Sequence, residues 1–194
     1  MFSVLKVEEF QVFRRGIPLI KPVSFELRRG QIVRVTGENG TGKTTLLESV
    51  IGRHREWSGS LKIEAKDISY KRQRGVAFES LTLREAWELV VGVDSAEYYR
   101  SLLKILALDE ISSRAIGLLS GGEAQRAMLT LALIRRHDLI LLDEPLAGID
   151  AKSVDLIAAC LEQHAYYSAV LLVEHKPSQR LQVIEEVCLE RASN

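Results

Sequence analysis

Two rhythms of apolar residues alternate along the chain. Val4 to Val12 carries apolar residues at loosely alternating positions, which predicts a strand, read here as an edge strand. Val23 to Leu27 predicts a second strand, and Gly30 turns the chain into a third, QIVRVT. The spacing from Thr44 to Ile51 is helical, and SGSLKIE and ISYKR read as two further short strands. Between Leu83 and Leu108 the period changes: Leu83, Ala86, Leu89, Val90, Leu102, Leu103 and Leu106 fall at helical intervals. Glu123 to Arg136 and Ala151 to Tyr166 predict two more helices. LILLD and AVLLVE are continuous apolar runs, as expected of strands covered on both faces, and VCLE predicts a short strand near the end. Strands alternating with helices imply a largely parallel sheet. The start implies an antiparallel β subdomain, and the middle a small helical one.

Composition narrows the class. The 194 residues suffice for one sizeable domain, and 46% apolar with 27% charged residues is ordinary for a globular protein. Formal net charge is zero, so no bulk field draws the chain to nucleic acid or anionic lipid. The two cysteines, Cys160 and Cys188, form no CxxC pair, which argues against a disulfide framework or a zinc site and fits a reducing cytosol. MFSVLKVEEF lacks the apolar core of a signal peptide, and MLTLALIRRHDLILLDEP is interrupted by Arg135, Arg136, His137 and Asp138. No segment is therefore expected to cross a membrane by itself.

Gly37 to Thr44, GENGTGKT, satisfies G-x-x-x-x-G-K-[ST] between a predicted strand and a predicted helix. The glycines Gly37, Gly40 and Gly42 let the loop wrap, so that successive N–H groups, through Glu38, Asn39 and Thr41, form an anion-binding nest. The helix that follows, entered through Thr44 and Thr45, adds a partial positive charge. Lys43 offers an ammonium to outer phosphates, and the Thr44 hydroxyl is a hard oxygen suited to Mg²⁺. The competing reading is a glycine-rich turn with a solvated lysine.

LILLDEP ends a buried strand in two acids, Asp143 and Glu144, at the strand mouth where parallel sheets bind ligands. Asp143 is the natural Mg²⁺ partner of Thr44. Pro145 disfavours the helical region for Glu144 and is expected to keep it extended, with its carboxylate aimed at a water as general base. Alone, the pair also reads as a solvated acidic turn. LSGGEAQR, Leu119 to Arg126, puts two glycines at the doorway of a helix. Either this is a turn feeding a helix, with Ser120 and Glu123 as a capping box, or bare amides there approach a large anion.

GENGTGKTT, LSGGEAQR, LILLDEP, AGID and the histidine of VEHK occur in an order and spacing that resemble the nucleotide-binding subunit of an ATP-binding cassette (ABC) transporter, of the compact single-cassette type, over roughly Val4 to Glu190. The resemblance implies a P-loop NTPase core spanning 1–194, with a helical subdomain inserted at about 76–122. It implies an ATPase with ATP and Mg²⁺ as cofactors, working as a pair of cassettes. In such a pair Ser120, Gly121 and Gly122 of one copy face the γ-phosphate held by the other, and Asp150 belongs to a loop at the same interface. The Ala147-Gly148-Ile149 that precedes Asp150 departs from the family's more usual pattern. Gln73 matches the family's glutamine at Mg²⁺ and the attacking water, and His175 matches its switch histidine. An aromatic from the first sheet is expected to stack on adenine, with Phe13 preferred to Phe10. His54, His137 and His164 are read as solvated or structural.

The partner implied is a separate transmembrane permease, docked near Gln73 and the segment Arg74 to Thr82 and placing the chain at the cytoplasmic face of a membrane, with no nucleic acid expected. The alternative is a soluble ABC ATPase acting on nucleic acid or ribosomes. The absence of long coiled coils between P-loop and signature, the single cassette and the zero net charge weigh against it.

Overall fold

The computed structural model describes residues 3–72, 78–91, 96–175 and 179–192. The strands are β1 (Ser3–Arg14), β2 (Ile17–Pro18), β3 (Val23–Arg28), β4 (Ile32–Gly37), β5 (Trp57–Ile63), β6 (Ile68–Lys71), β7 (Leu139–Asp143), β8 (Ala169–Val173) and β9 (Glu185–Leu189). The helices are α1 (Lys43–Val50), α2 (Leu83–Val91), α3 (Ala96–Ile105), α4 (Gly121–Ala132) and α5 (Ala151–Ala165). Two short 3-10 turns, Asp109–Ile111 and Ile116–Leu118, lead from α3 to α4. No helix among the described residues is long and apolar enough to cross a membrane.

Five strands form one parallel sheet in the order β6-β7-β8-β4-β9. Its central strands are apolar on both faces because each face has its own core. Ile140, Leu142, Val170 and Leu172 join the cluster built with α2 to α5. Leu139, Leu141, Leu171 and Val173 join the cluster shared with α1 and the antiparallel sheet. A run such as LILLD therefore shows no alternation although the strand has two distinct sides.

The first strand is not an edge. β1 pairs antiparallel with β2 and β3 along one side and with β5 along the other, which puts it in the middle of the second sheet. Its alternation is loose because the register with both neighbours shifts around Glu8 and Glu9, where Glu9 takes φ 48°. This bulge reverses the in–out phase halfway along, leaving Val4, Leu5, Val7, Phe10 and Val12 all buried. Gly59 of β5 lies against the bulge: a Cβ there would stand 2.3 Å from the Glu9 carbonyl oxygen.

Between β6 and α4 the chain forms α2 and α3, joined by stacking of Trp87 on Tyr99 at 4.4 Å between ring centroids. Leu83, Ala86, Leu102 and Leu106 are buried in the same cluster as the inward faces of α4 and α5. These helices thus rest on the parallel sheet through α4, which also accepts a hydrogen bond from Ser69 Oγ of β6 at the Ala132 carbonyl.

Candidate functional site

The turn from β4 to α1 is built by Gly37 to Gly42. At Gly37, φ is 149° and a Cβ would lie 2.8 Å from both the Leu189 carbonyl oxygen and Thr41 Oγ1, so only glycine fits. Gly42 caps α1 at φ 84° without a side-chain cap, leaving the first amides of the helix facing out of the turn. Lys43 is 7% exposed, and its ammonium donates to the carbonyls of Gly37 and Glu38, each at 2.8 Å. Burial pushes the Lys43 ammonium below the usual lysine value, opposed by the nearby charges of Glu144 and Asp143. Thr41 Oγ1 donates to the Glu38 carbonyl at 2.9 Å, closing the loop on itself.

β7 brings its acids to the same place. Thr44 Oγ1 donates to Asp143 Oδ2 at 2.9 Å, and Asp143 is 2% exposed. Glu144 follows with φ 45°, a left-handed backbone and not the extended one that Pro145 suggests. Its N–H donates to the Val173 carbonyl at 2.9 Å, which extends the parallel ladder one residue past β7 while the chain turns away. Such a conformation costs about 1 kcal/mol or more for a residue with a side chain. It is braced by Gln125 of α4, whose Nε2 donates to the Glu144 carbonyl at 2.8 Å and the Pro145 carbonyl at 3.3 Å.

Beside them lies a cavity of about 570 Å³ bordered by Phe13, Asn39, Gly40, Gly42, Lys43, Thr44, Thr45 and Glu144. Phe13 is half-buried at one wall, whereas Phe10 is fully buried against Trp57 and has no free face. His54 and Glu56 also border this cavity, and His54 Nε2 lies 3.1 Å from the Glu56 carbonyl oxygen. Sequence spacing did not mark it because it lies in the loop after α1, outside any motif.

A second cavity, about 340 Å³, opens on the other side of Glu144 and is lined by Ala147, Gly148, Glu174 and His175 among others. His175 is exposed, and its Nδ1 lies 3.4 Å from the Gly37 carbonyl oxygen, a contact that requires the proton on Nδ1. P-loop, acid pair and histidine are thus brought together. Gln73 lies outside the described residues.

Ser120, Gly121 and Gly122 border neither cavity. Ser120 caps α4: its Oγ accepts from the Glu123 N–H at 3.4 Å while Glu123 Oε2 accepts from the Ser120 N–H at 2.8 Å. A Cβ at Gly121 would meet nothing within 4 Å, and one at Gly122 only the Gly148 carbonyl at 3.7 Å. Asp150 caps α5, accepting from the Ser153 N–H at 3.0 Å, and lies 3.8 Å from Arg126 of α4. Sequence reasoning missed Gln125. Its mark is a polar residue within LSGGEAQR, on a helix whose neighbouring positions turn toward the core.

Residues 20–147 match the family model described as ABC transporter. The zinc import ATP-binding protein of Aliivibrio fischeri is 31% identical over 195 residues, covering 98% of this chain and 76% of that protein. The manganese transport system ATP-binding protein of Halalkalibacterium halodurans is 30% identical over 194 residues, covering 90% of this chain and 77% of that protein. Among solved structures, an ATP-binding subunit of an ABC transporter superposes with a TM-score of 0.77 at 24% identity, over 89% of this chain and 79% of that one. The ADP conformation of an ATP-binding cassette gives 0.74 at 22% identity, over 92% and 83%. At such identities the structural likeness speaks for the fold.

Proposed function

The chain belongs to the ATP-binding subunits of ABC transporters, and from that premise we propose that two copies close around two Mg-ATP and drive a separate membrane permease. Membership makes it an ATPase and the motor subunit of a transport system. The relatives' names concern transport, which speaks against a role on nucleic acid or ribosomes.

The observation that carries the site assignment is that Lys43, Thr44 and Glu144 border one cavity, with Asp143 held behind Thr44 at 2.9 Å. The loop Gly37 to Thr45 wraps the phosphates with amides and Lys43, and Phe13 supports the adenine ring. Glu144 accepts a proton from the attacking water. Lys43 and His175 stabilise charge on the transferred phosphoryl group. Thr44 Oγ1 and Asp143 Oδ2, two hard oxygens already 2.9 Å apart, suit Mg²⁺, with Gln73 as the further ligand. Bound there, Mg²⁺ neutralises phosphate charge.

The dimer reading is supported by the open space at Gly121. This subunit's own packing does not demand a glycine there, but close approach of a partner's γ-phosphate to the helix N-terminus does. Ser120, Gly122 and Asp150 lie on the same flank. The helices in the segment 76–122 form the lobe that receives the permease, which holds the chain at the cytoplasmic face of the membrane. The experiment is light scattering of Glu144→Gln with and without Mg-ATP. An ATP-dependent doubling of mass with turnover abolished supports the reading, and a monomer at high protein concentration counts against the sandwich.

A further inference from the structure

β4 carries a charged residue where its neighbours are apolar. The Arg34 side chain is 6% exposed, and its Nε lies 2.8 Å from Glu174 Oε2, on a carboxylate that is 5% exposed. Its Nη2 donates to the Leu181 carbonyl at 3.3 Å, and its Nη1 lies 3.4 Å from Glu186 Oε2 of β9. A buried ion pair of this kind adds little net stability over an apolar pair of equal size, because desolvation of both charges offsets their attraction. What a guanidinium adds is direction: a planar fork that fixes several acceptors at once.

The acceptors are informative. Glu174 immediately precedes His175, and Leu181 lies six residues after it. One side chain from the strand that leads into the P-loop therefore touches both Glu174, next to the histidine, and the Leu181 carbonyl. The backbone repeats the tie, since the Glu174 N–H donates to the Val35 carbonyl at 3.0 Å. Three residues beyond Arg34 on the same strand, Gly37 offers its carbonyl to His175 Nδ1.

We propose that Arg34 is a positioning residue for His175: it anchors the adjacent Glu174, with the Leu181 carbonyl as a second hold, and so fixes the backbone that presents the imidazole beside the Gly37 carbonyl. The proposal rests on the reading of His175 as a γ-phosphate ligand. Displacement of a catalytic group by about 1 Å costs on the order of a hundredfold in rate, so loss of the anchor registers in kcat before it registers in nucleotide binding.

The test is a cycle with His175→Ala, using steady-state ATPase kinetics on the full chain. Arg34→Met together with Glu174→Met removes both charges and leaves no buried ion alone; Arg34→Lys keeps the charge, and with it the fold, but lacks the fork. Expected is a kcat lowered roughly tenfold or more in the double variant and severalfold in Arg34→Lys, with KM for ATP within about threefold. In the His175→Ala background the same substitutions change kcat by less than about twofold, because the group they position is gone. Equal losses in both backgrounds overturn the proposal and assign the anchor a general structural role. Wild-type kcat in Arg34→Lys and in a folded double variant overturns it while leaving the His175 reading intact. Wild-type kcat in His175→Ala alone overturns both.

Discussion

Gln125 Nε2 donates a 2.8 Å hydrogen bond to the carbonyl oxygen of Glu144, so the helix that begins with Ser120 braces the backbone of the candidate general base. Glu144 holds φ 45° only because something outweighs that conformation's cost, and this bond is a visible part of it. Gln125→Ala is expected to lower kcat about tenfold, the equivalent of roughly 1.4 kcal/mol, with KM for ATP unchanged. Steady-state ATPase assays check it; an unchanged kcat means the turn is held by other contacts.

Lys43→Ala is expected to weaken ATP binding by about 100-fold, since an ammonium–phosphate contact contributes about 1.5–3 kcal/mol. The side chain also satisfies the Gly37 and Glu38 carbonyls, so the variant is expected to melt slightly earlier as well. Calorimetric titration with Mg-ATP measures the first effect and thermal denaturation the second. Undiminished affinity would remove the phosphate role.

Ser120 serves two readings that a single substitution separates. As the cap of α4 it contributes about 1 kcal/mol, and aspartate caps a helix as well as serine does. Ser120→Asp is therefore expected to keep the melting temperature within about 2–4 °C. It also places a negative charge where the partner's γ-phosphate would sit. ATP-dependent dimerisation of a Glu144→Gln background should then be lost, as read by light scattering. Retained dimerisation would leave Ser120 as a cap alone.

The motifs that were legible in the sequence are contiguous ones. GENGTGKT, LILLDEP and LSGGEAQR each hold their chemistry within eight residues, and the apolar runs of β7 and β8 announce a sheet covered on both faces. What escaped depends on pairing across distance. The central place of β1 is set by strands on both its sides, and its bulge at Glu9 blurs the alternation. The Glu144 backbone reverses a local rule for residues before proline because Gln125 and Val173 supply bonds from elsewhere. Arg34 went unremarked within QIVRVT because Glu174, Leu181 and Glu186, which surround it, lie far along the chain.

His164, at the last turn of α5, is a source of acid sensitivity in the fold. It is 5% exposed, and burial, joined by the charges of His137 and Arg136, holds its imidazole down to about 4, against about 6.5 for an unperturbed histidine. The native state thus resists a proton that the unfolded chain accepts readily. Between those two values the unfolded state binds more protons, so this stability is fully present above pH 6.5 and is lost progressively toward pH 4. The loss is ~2 kcal/mol by pH 4.5, a sizeable part of the 5–15 kcal/mol typical of a domain. His164→Gln cannot take up the proton, so its stability curve should be flatter by that amount. Urea unfolding of both proteins at pH 7.5, 6.0 and 4.5 measures the difference. Parallel curves would show that His164 does not titrate differently in the two states, and would move the acid sensitivity to the carboxylates.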